Sequence, residues 1–238
     1  MTIKENSSIP DDYINVIYGK DVKPFSSYPF KLTKYLYDKY GLKENSKVLD
    51  FGCGRGEFLN GFIELGMDGY GVDFTDAAES LCPNATIKQA DIELNGLPFE
   101  DNFFDVVFSK SVIEHFHNPD ILVKETFRCL KPGGIAIIMV PSWEHNFRIY
   151  FEDYTHRTPF MMSSLRDILL IHKFNLIEVS FFKQLPILWN NVLAHILLNP
   201  LSFLTRILIP RQLGKKSKWV RFSKEIMLLS VSSKPEND

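Results

Sequence analysis

The stretch that decides the fold is Val48-Leu49-Asp50-Phe51-Gly52-Cys53-Gly54-Arg55-Gly56, in which a buried apolar run passes through three glycines into a helical pattern. A glycine turn after a strand is typical of nucleotide-binding α/β proteins, because it lets a ligand approach the backbone closely. We predict the strand at residues 47–51 and the helix at residues 57–65. The stretch therefore indicates an α/β fold whose ligand lies at the end of the first strand.

Strand-like and helix-like segments alternate between residues 31 and 142. The spacing of apolar residues predicts further strands at residues 70–74, 85–89, 104–108 and 135–140, and helices at residues 32–40, 75–81 and 119–130. The last of these helices is expected to stop at Lys131-Pro132-Gly133-Gly134. The alternation predicts a doubly wound parallel sheet with right-handed crossovers.

The pattern changes beyond residue 141. It is irregular over residues 143–160, helical over 163–172, strand-like over 176–182 and strand-like again over 225–232. We expect a single domain over residues 1–238. Its expected parts are a cofactor-binding core (28–142), an acceptor-side loop, helix and strand (143–183), a helical insertion (184–222) and a final strand (223–233).

The totals fit a globular protein, with 45% hydrophobic and 24% charged residues. A formal net charge of -2 gives no overall attraction to nucleic acid. Three scattered cysteines are too few for a disulfide framework. Residues 1–10 are polar, and no apolar run is long enough to span a bilayer. A cytoplasmic location is the expectation.

The charge of the glycine loop favours one class of cofactor. A dinucleotide fingerprint has the spacing G-x-G-x-x-G and places a pyrophosphate on a helix N-terminus. Here the spacing is G-x-G-x-G, and Asp50 precedes Gly52 by two residues. A carboxylate at this position repels a pyrophosphate but attracts an ammonium group. S-adenosylmethionine carries an ammonium and a sulfonium and has no phosphate, so the loop favours it over NAD.

Two further acids end predicted strands. Asp73 follows the second strand, about twenty residues after the loop, where an acid can accept both ribose hydroxyls. Phe74 beside it is placed to pack on the adenine. Asp91 ends the third strand and can accept from the adenine amino group. Ligands of open α/β sheets bind at the carboxyl ends of the strands, so these acids are expected to meet there.

Several motifs together resemble those of class I S-adenosylmethionine-dependent methyltransferases. The blocks that carry the resemblance are the first loop already quoted, Leu97-Pro98-Phe99-Glu100-Asp101-Asn102-Phe103-Phe104-Asp105-Val106-Val107, Ser111-Val112-Ile113-Glu114-His115 and Leu130-Lys131-Pro132-Gly133-Gly134. The resemblance covers residues 47–141. It implies a seven-stranded, Rossmann-like sheet whose last strand is antiparallel.

The resemblance also implies roles for individual residues. Asp50 and Gly52 would contact the methionyl part of the cofactor, and Asp73 the ribose. Ser109 would line the methyl-donor side. The full set of expected cofactor-binding residues is Asp50, Phe51, Gly52, Cys53, Gly54, Asp73, Phe74, Asp91, Ile92 and Ser109, with Asp91 and Ile92 at the adenine.

Transfer to a hydroxyl needs a group that takes the proton, and histidine is the most frequent choice. We favour His156, with Asp153 as the residue that orients it, because both lie beyond the fifth strand, where this family builds its acceptor pocket. His145 is the next candidate in that segment. His115 and His117 are alternatives, as is a histidine bonded only to neighbouring backbone.

A metal centre is not expected. The acids and histidines between residues 144 and 156 fit no tight ligand spacing. Cys53 is expected to be a small structural residue of the loop rather than a nucleophile.

The expected activity is methyl transfer to an oxygen or nitrogen atom of a small or carrier-linked acceptor. Residues 154–160 are loosely similar to bacterial methyltransferases from cell-surface polysaccharide loci, which suggests a sugar of the cell envelope. The alternatives are a non-catalytic cofactor-binding module and an NAD-dependent oxidoreductase or epimerase. No nucleic-acid partner is expected, because the chain has no basic arm outside the insertion.

The insertion at residues 184–222 contains no Asp or Glu. Its apolar residues predict two helices separated at Asn199-Pro200. The apolar faces comprise Trp189, Val192, Leu193, Ile196 and Leu197 in the first and Phe203, Leu204, Ile207 and Leu208 in the second, and the basic residues are Arg206, Arg211, Lys215, Lys216, Lys218 and Arg221. Two readings remain open, a helical lid over the acceptor pocket and a peripheral membrane contact.

Overall fold

A computed structural model describes residues 24–210, 213–214 and 217–236. The seven strands are β1 (Lys47–Phe51), β2 (Asp68–Asp73), β3 (Thr86–Gln89), β4 (Phe104–Lys110), β5 (Leu130–Pro141), β6 (Asn175–Lys183) and β7 (Ile226–Ser233). The α-helices are α1 (Tyr28–Tyr40), α2 (Glu57–Ile63), α3 (Ile92–Asn95), α4 (Pro119–Cys129), α5 (Trp143–Asn146), α6 (Met162–Ile171), α7 (Val192–Leu208) and α8 (Lys218–Lys224).

The strands form one sheet in the order β3-β2-β1-β4-β5-β7-β6. β1 pairs in parallel with both β2 and β4, and β4 pairs in parallel with β5. β7 lies antiparallel between β5 and β6. The expected seven-stranded α/β sheet with an antiparallel last strand is confirmed. Because β1 lies between β2 and β4, the carboxyl ends of these three strands share one edge.

The sheet has a hydrophobic core on each face, because its strands alternate sides. In β5, Ile138 belongs to one core and Ile137 to the other. Helices α4 and α6 cover the first face through Leu122 and Leu165, and α1 covers the second through Leu36. Each fully buried side chain of this kind contributes roughly 1.5–3 kcal/mol. Helices therefore cover both faces of the sheet, and a ligand can bind at the ends of the strands.

Two local expectations differ from the structure. The helix expected at residues 75–81 is a single 3-10 turn at Ala77–Ser80. The stop expected after α4 lies inside the long strand β5, which begins at Leu130 and passes through both glycines. Gly133 has a φ of +76°. The glycines that predicted the end of the helix therefore form an irregular first part of β5.

The insertion lies between β6 and β7, as expected, but its predicted division is wrong. Helix α7 runs without a break from Val192 to Leu208 and contains Pro200. A proline fixes φ near the helical value and removes one N–H donor, so the lost hydrogen bond is the main penalty. Pro200 is exposed, and water can satisfy the carbonyl that loses its partner. The expected basic residues Arg211, Lys215 and Lys216 lie outside the described residues.

Candidate functional site

The glycine loop after β1 is held against β2 by backbone hydrogen bonds. The amides of Gly52 and Cys53 both donate to the carbonyl oxygen of Val72, at 2.8 and 3.1 Å. Gly54 has a φ of +52°, and its amide donates to the Asp73 carboxylate at 2.9 Å. The loop therefore joins the ends of β1 and β2 into one surface lined by backbone and carboxylate groups.

Glycine is required at residue 52. Its φ is +79°, and a Cβ built there would lie 2.4 Å from Cγ2 of Val112. That separation is shorter than any van der Waals contact, so even alanine would displace the segment after β4. The open backbone of this loop is the close approach that a cofactor needs.

Asp50 ends β1 with a buried carboxylate. Its Oδ2 atom has no hydrogen-bond partner among the described residues. Burial, with Asp73 close by, raises the pKa of Asp50 to about 8. An unpartnered buried carboxylate is costly, and the ammonium group of a methionyl moiety would supply both the missing donor and the opposite charge. The residue therefore fits the role expected from the sequence.

Asp73 lies opposite Asp50 at the end of β2. Its carboxylate accepts from the amides of Gly54, at 2.9 Å, and Thr75, at 3.3 Å. Burial raises the pKa of Asp73, and these amide hydrogen bonds act against the rise. A carboxylate can accept several hydrogen bonds, so Asp73 is a candidate acceptor for ribose hydroxyls.

The other expected cofactor residues lie along the same edge. Asp91 caps α3 by accepting from the amide of Leu94 at 3.2 Å, and Ile92 behind it is buried. Phe74 is half-buried beside Asp73. Ser109 in β4 is buried, with no hydrogen-bond partner for Oγ among the described residues. Together with the buried loop residues Phe51 and Cys53, these groups fit an S-adenosylmethionine molecule, and their individual contacts stay predictions.

Two histidines lie side by side on the acceptor side of the site. The rings of His115 and His156 are 4.8 Å apart between centroids. Nδ1 of His156 is 2.5 Å from the carbonyl oxygen of Tyr150. A carbonyl can only accept, so Nδ1 carries the proton and Nε2 keeps the lone pair. Burial lowers the pKa of His156, which keeps its ring neutral and able to accept a proton.

Asp153 organises this pair through Thr155. The Thr155 hydroxyl donates to Oδ1 of Asp153 at 2.6 Å, and its oxygen is 2.8 Å from Nδ1 of His115. Because the hydroxyl proton points to Asp153, Nδ1 of His115 is the donor and Nε2 carries the lone pair. Burial lowers the pKa of His115 to about 4. Burial acts to raise the pKa of Asp153, but the Thr155 hydrogen bonds outweigh it and the net direction is down.

Glu114 is the residue that sequence reasoning left without a role. It is fully buried in the 3-10 turn Ile113–His115, and neither carboxylate oxygen has a hydrogen-bond partner among the described residues. Burial raises the pKa of Glu114 to about 8. The sequence feature that could have identified Glu114 is an acid that directly precedes a histidine in a largely apolar block.

His145 and His117 lie in other surroundings. Nδ1 of His145 is 3.0 Å from Oγ of Ser142, and the ring contacts Phe181 with centroids 4.6 Å apart. Burial and the charge of Arg206 lower the pKa of His145. His117 is exposed. The geometry thus unites His156 and Asp153 with His115 and places His145 in a different group of contacts.

Comparison with known sequences gives the following matches. A sequence model of the family described as a methyltransferase domain matches residues 25–179. Sterol 24-C-methyltransferase of Schizosaccharomyces pombe is 34% identical over 110 residues, or 42% of this chain and 29% of that protein. Phosphoethanolamine N-methyltransferase of Plasmodium falciparum is 28% identical over 212 residues, or 81% of this chain and 76% of that protein. The chain spans 29% of the sterol methyltransferase and 44% of an uncharacterized methyltransferase of Mycobacterium sp. (strain KMS), less than half the length of each.

Solved structures share the fold. Phosphoethanolamine N-methyltransferase 2 of Haemonchus contortus, in complex with S-adenosyl-L-methionine, has a TM-score of 0.63 and 20% identity, covering 94% of this chain and 59% of that one. A methyltransferase from Archaeoglobus fulgidus has a TM-score of 0.60 and 20% identity, covering 94% and 100%.

Replacing Asp73 by alanine should weaken S-adenosylmethionine binding. Loss of a buried, charged hydrogen-bond acceptor costs about 1.5–3 kcal/mol, or roughly ten- to a hundredfold in affinity. Titration calorimetry on the folded variant measures this. The exposed neighbour Asp76, whose side chain caps no helix amide, serves as the matched control when changed to alanine. Wild-type affinity in Asp73→Ala would remove Asp73 from the cofactor site.

Replacing Asp50 by asparagine should stabilise the cofactor-free protein at high pH. Asp50 keeps its proton up to about pH 8 when folded, whereas an aspartate in the unfolded chain loses it near pH 4. Between these values the folded state binds more protons, so this carboxyl lowers the free energy of unfolding as the pH rises. We expect Asp50→Asn to be more stable at pH 8 by on the order of 1–4 kcal/mol, with a smaller gap at pH 5.

Denaturant unfolding of the wild type and of Asp50→Asn at pH 5, 6.5 and 8 checks this prediction. Glu114 acts in the same direction in both proteins, so the difference between them isolates Asp50. Asp76→Asn is again the control. We expect the difference in its free energy of unfolding from that of the wild type not to grow with pH. A constant gap for Asp50→Asn, or a less stable variant at pH 8, would show that Asp50 is not a buried, protonated acid.

Proposed function

This chain belongs to the methyltransferase domain family, and we propose that it is an S-adenosylmethionine-dependent enzyme that methylates an oxygen or nitrogen atom of a small or carrier-linked acceptor. The oxidoreductase and non-catalytic alternatives are therefore set aside. The observation that carries the proposal is the placement of the neutral histidine pair, His115 and His156, next to the turn that packs on Gly52. One edge of the sheet thus holds both a donor site and a proton acceptor.

The proposed mechanism is methyl transfer assisted by His156. The bound cofactor supplies an activated methyl group, so much of the catalysis is positioning of the acceptor for in-line attack. Asp50, Asp73 and the glycine loop hold the donor. His156 accepts the acceptor's proton at Nε2, while the Tyr150 carbonyl holds the proton on Nδ1. S-adenosylmethionine held in the donor site would give its methyl carbon to the acceptor and keep the electron pair of the broken carbon–sulfur bond as S-adenosylhomocysteine, while the acceptor's proton would pass to Nε2 of His156.

The acceptor side of the sheet carries positive groups that favour an acceptor with an anionic carrier. Lys183 ends β6 and hydrogen-bonds to Asn199, and Arg206 donates to the carbonyl oxygen of His145 at 3.3 Å. Within the described residues, no acid lies in salt-bridge distance of Lys183 or Arg206. We propose a phosphate- or lipid-linked sugar of the cell envelope as the acceptor class. The division of the chain into core, acceptor-side segment, insertion and last strand is part of the same proposal.

Replacing His156 by alanine should lower turnover and leave cofactor affinity nearly unchanged. Loss of a general base costs roughly two to four orders of magnitude in turnover. The assay uses methyl-labelled cofactor with the acceptor found by screening phosphorylated sugars and lipid-linked sugars. His117→Ala is the control, because His117 is exposed. A fully active His156→Ala enzyme would move the role to His115, to His145 or to no base at all.

We further propose that the protein works at a membrane surface from the cytoplasmic side. Among the described residues, no helix is long and apolar enough to cross a bilayer. Helix α7 instead turns its apolar residues outward. Its large side chains at the surface, each between 49% and 70% exposed, are Leu193, Ile196, Leu197, Leu201, Phe203, Leu204, Ile207 and Leu208. The packed face is polar, with Ser202 and Thr205 buried and Thr205 accepting from Trp219 Nε1 at 3.1 Å.

The charges around α7 suit an anionic lipid surface. The insertion has no acid between residues 184 and 222. Lys218 and Arg221 of α8, the helix that packs against α7, are exposed, and Arg221 pairs with Glu225 at 2.9 Å. Each basic residue near an anionic membrane contributes about 1 kcal/mol. An interfacial helix that inserts apolar side chains between basic neighbours binds reversibly, and this position would bring the active site to a lipid-linked acceptor.

The double variant Ile196→Ser/Leu197→Ser should lose binding to anionic vesicles. Each of these side chains is 62% exposed, and withdrawing both from a membrane should lower partitioning by roughly ten- to a hundredfold. Co-sedimentation with phosphatidylglycerol-containing vesicles at low salt measures it, with phosphatidylcholine vesicles and high salt as conditions without binding. The matched control is Ile171→Ser/Ile177→Ser, which removes two exposed isoleucines elsewhere.

Wild-type protein that stays in the supernatant with anionic vesicles at low salt would reject the membrane contact. If the control double variant Ile171→Ser/Ile177→Ser loses vesicle binding to the same extent, nonspecific hydrophobic adsorption and not α7 drives the binding. A further variant, Lys215→Gln/Lys216→Gln/Lys218→Gln, should weaken binding to anionic vesicles through charge alone.

A further inference from the structure

Three potential ligands of a metal ion converge beside the donor edge. Glu114, His115 and His156 each offer one ligand atom, and these atoms all lie within 4.8 Å of one another. The three residues come from two segments far apart in the sequence. A cation that is about 2.0–2.2 Å from nitrogen and oxygen ligands needs them roughly 3–4 Å apart.

Glu114 lacks the partner that a buried carboxylate requires. Both of its oxygens are inaccessible and accept no hydrogen bond within the described residues, although the charge of Lys110 acts on it. An uncompensated buried carboxylate is strongly unfavourable, so such a group either stays protonated or meets a cation.

The backbone holds the two segments together. The amides of Arg157 and Thr158 both donate to the carbonyl oxygen of Glu114, at 2.7 and 3.0 Å. The Tyr150 hydroxyl fixes the same segment by donating to the carbonyl oxygen of Thr158 at 2.5 Å. The approach of His156 to Glu114 is therefore built into the fold.

Both histidines are arranged as metal-binding histidines usually are. A ligating histidine donates one ring N–H to a carbonyl or carboxylate, which fixes the tautomer and leaves the other nitrogen with its lone pair. His156 does so through the Tyr150 carbonyl, and His115 through Thr155 and Asp153.

We propose that Glu114, His115 and His156 bind a divalent cation of the zinc class, with a fourth position open to an oxygen ligand. Two imidazoles and one carboxylate are a donor set that suits Zn²⁺, and three protein ligands with one open position are typical of zinc that takes part in chemistry. The inference departs from the sequence expectation of a protein without a metal. Nε2 of His156 cannot bind a cation and accept a proton at the same time, so with a cation bound the His156 role as proton acceptor is replaced. The cation would then hold the acceptor oxygen and ease the loss of its proton, and this role alone rests on the proposed function.

The test measures metal binding without any methyl transfer. The full-length protein is stripped with a chelator and titrated with Zn²⁺ by calorimetry and with Co²⁺ by visible absorption. We expect one equivalent to bind with a dissociation constant in the micromolar range or below, and Co²⁺ to give the strong visible bands of a four-coordinate site. Glu114→Gln and His156→Gln should each weaken binding about a hundredfold or more.

The control variant is His172→Gln, which removes a histidine from a pair with Asp120 outside the cluster and should bind like the wild type. Circular dichroism and S-adenosylhomocysteine affinity confirm that each variant is folded. Equal Zn²⁺ affinity in Glu114→Gln and the wild type would overturn the proposal, as would a wild type that binds no equivalent. A Glu114→Gln variant that is more stable to unfolding than the wild type and keeps its Zn²⁺ affinity would identify Glu114 as a buried, protonated acid and not as a ligand. Full methyl transfer by chelator-treated protein would overturn the role of the cation in the reaction and leave the proposed function intact.

Discussion

A Cβ at residue 52 would lie 2.4 Å from Cγ2 of Val112, while the amide of Gly52 donates to the Val72 carbonyl oxygen at 2.8 Å. Because Gly52 has no side chain, Val112 can pack against it while the amide of Gly52 bonds to β2. Three elements therefore meet at this residue: the end of β1, the end of β2 and the segment after β4. Val112 directly precedes the turn that carries Glu114 and His115. The position of the acceptor-side groups relative to the glycine loop therefore depends on the absence of a side chain at residue 52.

The same edge of the sheet buries acids without the partners that would make their burial favourable. Asp50 and Glu114 are both fully buried, and burial raises the pKa of each to about 8. Such groups reduce the stability of the empty protein, which is the usual consequence of building a binding site before its ligand arrives. A cofactor ammonium beside Asp50 and a cation beside Glu114 would each relieve this cost.

Helix α7 is oriented differently from most helices at a protein surface. A helix of a water-soluble surface normally turns its apolar side inward. Here Ser202 and Thr205 face the protein, and apolar side chains such as Ile196 and Leu208 face outward. An exposed apolar surface of this extent is the observation on which the proposed membrane contact rests.

The sequence by itself determined β1, the glycine loop and the acids at the ends of β1, β2 and β3, because strand periodicity and turn chemistry are local properties. It also determined that α7 has an apolar side. Only the tertiary structure decided that this side faces outward, that Pro200 lies inside one helix, and that His156 reaches Glu114. A local pattern records the period of an element but neither the direction in which its face turns nor its distant partner. Those depend on hydrogen bonds such as that from the Arg157 amide to Glu114, which form only when the whole sheet has assembled.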